Sequence, residues 1–350
     1  DQDNPQQIIN SNNTIINNGS QNGIDFANNA PFNNTIIKNI INVTGDNGRG
    51  ISTTTGTANI LQENTILIGG TNADAINFDG GDNYTIIDNI ITLSTASNNG
   101  IVFNTATGHN VTNNTITALL GSINGISLTS PAADITLQEN TITITGASSN
   151  GITLSNVTNN KISNNIINIY GTASNSIAVS NTALDNNFSG NTIFANNTNG
   201  VGFDLDLSTN NRITNNTITT TGTSGHSMDL WNVNNSYIED NILNTTIGFY
   251  IQENASNITF VNNDVTVGTD AFLDIGGSLN NTIIYNNSFG QVTWEDYPSI
   301  NVSNNLSIGD EIFLQQNLVG LVDTSFVQIL NDSAIIEIRN LSYNETPQLL

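Results

Sequence analysis

Apolar residues fall along this chain in columns. Aligned on a recurring asparagine, the sequence shows Asn13, Asn39, Asn64, Asn89, Asn114, Asn140, Asn165, Asn191, Asn216, Asn241, Asn263 and Asn287, most of them 25 or 26 residues apart. Two residues after each stands an apolar side chain: Ile15, Ile41, Ile66, Ile91, Ile116, Ile142, Ile167, Ile193, Ile218, Leu243, Val265 and Phe289. Three residues before each stands another, from Ile36 and Leu61 to Phe260 and Ile284, with Asn10 as the exception in the first repeat. A third column follows about twelve residues after the asparagine: Ile24, Ile51, Ile76, Ile101, Ile126, Ile152, Ile177, Val201, Met228 and Phe249. It is commonly apolar again two positions on, as at Phe78, Leu128, Phe203 and Leu230. A period of two with β-branched residues favoured is strand alternation. Each repeat therefore predicts two or three short strands joined by turns rich in Gly, Asn and Ser.

A fixed period near 25 residues marks a solenoid, in which each unit buries its apolar face only against its neighbours. A leucine-rich repeat has a similar length but requires Leu and a helical segment per unit. The Ile-rich, turn-rich pattern instead predicts a parallel β-helix of about twelve coils stacked about 4.8 Å apart, a rod on the order of 55 Å long. At an inward-turning corner the repeated Asn can hydrogen-bond its counterparts above and below, which makes the twelve asparagines a structural ladder.

The phrase "NGISLTS…DITLQENTITI" (124–144) resembles the repeats of right-handed parallel β-helix proteins of the pectin-lyase-like superfamily, including bacterial and archaeal cell-surface members. The resemblance covers about residues 8–292. It implies an all-β, right-handed solenoid, the hand agreeing with the crossover rule. For function it implies only a range: polysaccharide lyases and hydrolases, tailspikes, adhesins and surface proteins.

The register fails after Phe289. Residues 1–292 are thus expected as the β-helix, 293–305 as a linker and 306–350 as a C-terminal β segment, a small cap or sandwich-like unit with its clearest alternation at Ala334–Arg339. Residues 1–7, "DQDNPQQ", are the one stretch at the other end available to cover the first coil.

Charge narrows the partners. Five Lys and Arg face 29 Asp and Glu, a net charge of −24, so the clustered cations that nucleic-acid phosphates require are missing. Asn supplies nearly a fifth of the chain and much of its polar surface. The absence of Cys removes disulfides and thiolate metal sites. No apolar run is long enough for a transmembrane helix. The chain starts with Asp and without an apolar leader, which favours a trimmed, exported protein. About twenty Asn-x-Ser/Thr sequons, among them Asn12, Asn83, Asn110, Asn113, Asn156, Asn215, Asn257 and Asn340, are glycosylation acceptors in such a setting.

For chemistry, the resemblance implies either a lyase, with Ca²⁺ on acidic side chains and an Arg or Lys base, or a hydrolase with paired Asp. Only Lys38, Arg49, Lys161, Arg212 and Arg339 could serve the first, and none is placed within one coil of an acidic pair in an arrangement that suits this chemistry. Lys38, Glu63 and Asp88 share a column and read as an exterior charge ladder. The hydrolase candidates are Asp204, Asp206, Asp229 and Asp274 on late coils, with His226, Trp231 and Tyr250 close in register. A solvated acidic face or turn aspartates bonding their own backbone account for the same residues. No cofactor is required, and Ca²⁺ is the metal that oxygen ligands here would take. The leading expectation is a non-enzymatic extracellular or cell-surface rod of a layer, filament or appendage, glycosylated and self-associating end to end through strand edges. The alternatives are a polysaccharide-processing enzyme and a non-catalytic adhesin for cell-surface glycans.

Overall fold

The structure, a computed structural model, describes residues 8–26, 32–297, 301–303, 305–321 and 334–340. The segment 1–7 considered as a cover for the first coil lies outside them.

All regular structure among the described residues is β, and each coil contributes three short strands. The first column opens with Ile9–Ser11 and Thr35–Ile37 and continues coil by coil to Asn281–Asn286, twelve parallel strands in a single sheet. Strands such as Thr65–Ile68 and Thr141–Ile144 form the second column, and strands such as Ile76–Phe78 and Asn150–Ser155 the third. Late in the rod, Ile242–Ile251 and Asp264–Asp274 run around the corner and serve both. The second and third columns each count eleven strands, so about eleven full coils form, with a twelfth strand in the first column alone. Leu61 pairs with Ile86 and Leu137 with Ile162, and the stacked Ile, Leu, Val and Phe form one core with nearly no exposed surface.

The ladder is built as the period requires. In Asn140 the backbone N–H and the side-chain amide both donate to Oδ1 of Asn165, each at 3.0 Å, while Nδ2 also donates to the Val111 carbonyl at 2.9 Å. The same bonds link Asn39 through Asn241 coil by coil, and Asn241 ends the chain of donors on Oδ1 of Asn263 at 2.9 Å. Asn287 departs from the expected ladder: its amide donates to the Leu314 carbonyl at 2.8 Å. The reason is topological, because the strand after Asn281–Asn286, Gly290–Tyr297, folds back antiparallel and leaves no further coil to stack upon.

Two left-handed corners per coil frame the first column. The residue before each ladder Asn, from Asn12 through Lys38, Glu63 and Glu139 to Asn262, has φ between 48° and 67°. A second set, Asn33, Ala58, Asn83, Gly108, Asp134, Asn159, Asp185, Asn210, Asn235, Asn257 and Asn280, is also left-handed. Asn and Asp tolerate this conformation best after Gly, which explains why they crowd these positions. A second, interrupted ladder follows the second corner: Asn34 donates to Asn59, and Asn160, Asn186 and Asn211 are linked in turn.

Register corrects the third column at one place. Ile177 pairs with Phe203, and Val201 pairs with Asn175, so Phe203 and Leu205 take the core positions that the sequence assigned to Val201 and Phe203. The C-terminal end is closed rather than linked. Residues expected as the linker 293–305 carry most of Gly290–Tyr297 and all of Asn301–Ser303, the latter antiparallel to the last coil through Phe272 and Val302. Ala334–Ile338 then pairs antiparallel with Gly290–Tyr297. Trp294, Val302, Leu306, Ile312 and Leu314 bury themselves against the final coil, completing the small β cap.

Candidate functional site

Alternation along the third column decides which side chains face out. With Ile76 and Phe78 in the core, Asn77 points outward, and register stacks Ser52, Asn77, Val102, Ser127, Thr153, Ala178, Asp204, Asp229 and Tyr250 in one line. Outward residues are ordinarily exposed, yet Ser52, Asn77, Val102 and Ser127 are at most 6% exposed. They lie at the bottom of a narrow trough over which the flanking side chains close, while Thr153, Ala178, Asp204 and Asp229 further along the line are half-buried. One wall is a row of amides in which Asn99 donates to Asp74 at 2.9 Å and Asn124 to Asn99 at 3.1 Å. On the other wall Asn104 donates to Asp79 at 2.6 Å and Thr129 to Asn104 at 2.9 Å.

Three of the four candidate carboxylates meet at the late end. Asp204 and Asp229 are direct partners on adjacent coils, and Asp206 pairs in register with Trp231. Asn175 donates to Asp204 at 2.6 Å and Gln252 to Asp229 at 2.5 Å. His226 Nδ1 lies 3.7 Å from an Asp229 oxygen, and its ring sits 4.4 Å from that of Tyr250. Trp231 is an exposed aromatic face beside them. Burial, then the nearby Asp229 and Asp206 charges, push the Asp204 carboxyl up to about 6. The Asp206 carboxyl is also raised, by burial and then by Asp229.

Asp274 does not join them. It pairs with core residue Ile251 and is 6% exposed, its carboxylate accepting from the Gly276 N–H at 3.1 Å and from the Ser278 hydroxyl. Two-residue alternation in Asp264–Asp274 turns it inward while Leu273 takes the outward place. It braces the last coil's turn.

Elsewhere the charge ladder forms as an exposed pair, Lys38 to Glu63 at 3.5 Å, with Asp88 accepting from Asn113 at 2.7 Å. One cation, Arg49, does approach two carboxylates of neighbouring coils. It bonds Asp79 one coil on at 2.7 Å and lies close enough to Asp74 to act on that carboxyl. The sequence concealed this because Arg49 and Asp79 are thirty residues apart on opposite walls. All eight named sequon asparagines are exposed, and all but Asn110 are left-handed corner residues. A depression of about 260 Å³ near Ser130, Pro131 and Leu184 lies on a different corner, away from the acidic cluster.

Comparison with known proteins gives the following similarities. The family model described as "Periplasmic copper-binding protein (NosD)" matches residues 71–220. No curated protein matches the chain. Among solved structures, the surface adhesin PfbA of Streptococcus pneumoniae is 11% identical, covering 85% of each chain with a TM-score of 0.45. DFA-IIIase from Arthrobacter chlorophenolicus is 10% identical over 79% of each chain, TM-score 0.42. The periplasmic alginate epimerase AlgG is 12% identical, TM-score 0.39, over 67% of this chain and 62% of its own. The residues here do not fit copper. The chain has no Cys, Met228 is buried in the core, and His109, the sole histidine of the matched stretch, is enclosed among Phe78, Tyr84 and Phe103. No group of three or more His, Cys, Asp or Glu able to hold a metal occurs among the described residues. The chain is a parallel β-helix repeat protein, part of whose length is similar to the NosD family model.

Proposed function

We propose that this protein works outside the cytoplasm, at or near a cell surface, as a β-helical rod that binds a glycan strand along its third face. The observation that carries this reading is the trough, a line of outward positions, buried at Ser52 to Ser127 and half-buried from Thr153 onward, that ends in Asp204, Asp206 and Asp229 beside Trp231, Tyr250 and His226. Aromatic faces and paired planar polar groups suit sugar rings and hydroxyls, and the rod supplies them on rigid strands. The periplasmic and surface names among the similar proteins support the location. A panel of linear oligosaccharides tests the reading by calorimetry. Binding that weakens tenfold or more in Trp231→Ala and Tyr250→Ala supports it, and the absence of binding to every member defeats it.

The position of Asp204 favours a second reading, hydrolysis of the bound strand. Its carboxyl is raised to about 6, and Asp229 is its register partner on the next coil, so an acid and a carboxylate stand side by side as retaining hydrolysis requires. Asp204 would protonate the leaving oxygen and Asp229 attack the anomeric carbon. Asp204→Asn is then expected to abolish release of reducing ends while leaving binding intact. Release at the wild-type rate rules this out.

End-to-end association and glycosylation remain proposals of the same kind. The first would use the first coil, where Ile8, Ile9 and Ile16 are each more than 60% exposed, because the opposite end is capped. A monomer by sedimentation at high concentration would set it aside. Intact-mass measurement of protein from its native source decides glycosylation.

A further inference from the structure

We propose that the early-coil end of the trough holds a second sugar subsite, centred on Asn77, that takes an uncharged residue of the same strand. The proposal rests on the glycan reading above. Asn77 is 1% exposed, and although its amide lies close enough to Asp79 to help lower that carboxyl's pKa, neither of its polar atoms has a hydrogen bond of proper geometry. A buried amide whose Oδ1 has no partner and whose Nδ2 meets Asp79 only in poor geometry carries a standing cost, which nearly all buried polar groups avoid. Its surroundings are assembled around it. Arg49, from one wall, extends over Ser52 at 3.4 Å to Asp79 on the other wall at 2.7 Å, so this ion pair bars the trough above Asn77. Arg49 uses one terminal nitrogen for both contacts, and its side chain is 31% exposed; the proposed subsite requires this pair to part so that a sugar can reach Asn77. Asp74 lies at the foot of the amide wall nearby.

The chemistry of the ligand follows from the amide. An anion could satisfy only the Nδ2 donors and an ammonium only the Oδ1 acceptor, whereas a sugar hydroxyl pair both donates and accepts. The charge balance agrees. Asp79 already neutralises Arg49, and the remaining carboxylates of the trough, at Asp74, Asp204, Asp206 and Asp229, repel an anionic polymer. Asn77 and Asp204 are five coils apart, about 24 Å by strand spacing, so one linear strand can engage both.

The test uses the full chain with neutral linear hexasaccharides of glucose in different linkages, an oligogalacturonate as the anionic probe, and the variants Asn77→Leu and Asn77→Ser. Wild type is expected to bind a neutral hexasaccharide at least tenfold more tightly than the oligogalacturonate. Asn77→Leu is expected to weaken that binding at least tenfold while the thermal midpoint stays level or rises, since an unsatisfied amide is removed. Asn77→Ser, which retains a hydroxyl in a smaller volume, is expected to weaken it less. Unchanged binding in both variants overturns the subsite and leaves the glycan reading standing. Preference for the oligogalacturonate overturns the ligand class. Loss of all glycan binding in the wild type removes the glycan reading, and the subsite with it.

Discussion

A buried histidine and a half-buried aspartate pull the stability of this rod in opposite directions with pH. His109 is enclosed by aromatic rings and accepts a hydrogen bond from the Tyr84 N–H on Nδ1 at 3.1 Å, and burial lowers its pKa to about 4. Its folded pKa lies below the unfolded value, so its contribution is present above about pH 6.5 and is lost as pH falls towards 4, a swing of about 3 kcal/mol. Asp204 has a raised pKa, so its contribution is present below about pH 4 and is lost as pH rises to about 6. Across pH 4 to 6 the two offset one another. Asp204→Asn is therefore expected to gain stability relative to wild type as pH rises from 4 to 6, by about 2 to 3 kcal/mol. Urea denaturation at a series of pH values measures it, and a difference that does not grow with pH shows that the Asp204 carboxyl is not raised by its surroundings. The carboxylates were legible as a group in the sequence because neighbouring coils share register. What was not legible was the facing of Asp274, since the long strand Asp264–Asp274 bends and breaks its pairing between Thr245 and Ile247.

The recurring asparagine holds a corner together, and its removal acts on more than one coil. In Asn140→Ala the N–H of Asn114 and the carbonyl of Val111 both lose their buried partners. At about 1 to 3 kcal/mol per orphaned group, the loss should total about 3 kcal/mol or more. Asn140→Asp should be worse, because a carboxylate would face the Asn165 Oδ1 acceptor and cannot donate to Val111. Equal urea midpoints for wild type and Asn140→Ala would refute the ladder's energetic role. At the adjacent left-handed corner the opposite holds: Glu139→Gly should be neutral or stabilising, as Gly190 already occupies the equivalent place. The period made the first ladder readable. The second, through Asn34, Asn59, Asn160, Asn186 and Asn211, has the same spacing but is broken by Tyr84, His109 and Ile135, so no unbroken column announced it.

At the scale of the molecule, each coil touches only its neighbours, so stability is close to a sum along the rod and the ends are its weak points. Trp294 is the principal side chain closing one end, 1% exposed and edge-on to Tyr285 at 6.5 Å. Trp294→Ala is expected to cost about 3 to 5 kcal/mol locally. It should appear as faster amide exchange in Asp264–Asp274 and Asn281–Asn286, with exchange in the middle coils unchanged. Uniform acceleration along the chain would show that the rod unfolds as one unit. The cap was only partly visible beforehand, because antiparallel return strands do not share the coil period and Trp294 stood in a stretch read as a linker.

Equivalence of the coils also makes length a heritable variable. Leu61–Ile68 and Leu137–Ile144 are nearly the same phrase three coils apart, in the same place in the winding. A crossover between the two in the encoding gene would delete or duplicate three coils and leave every remaining strand opposite a proper partner. The trough would shorten or lengthen by about 14 Å, with both ends and the acidic cluster untouched. Duplication would repeat Asn77 and its neighbours and lengthen the span, whereas deletion would remove Asn77 with the coils that carry it, so selection on strand length acts on the early-coil subsite while the acidic cluster stays unchanged.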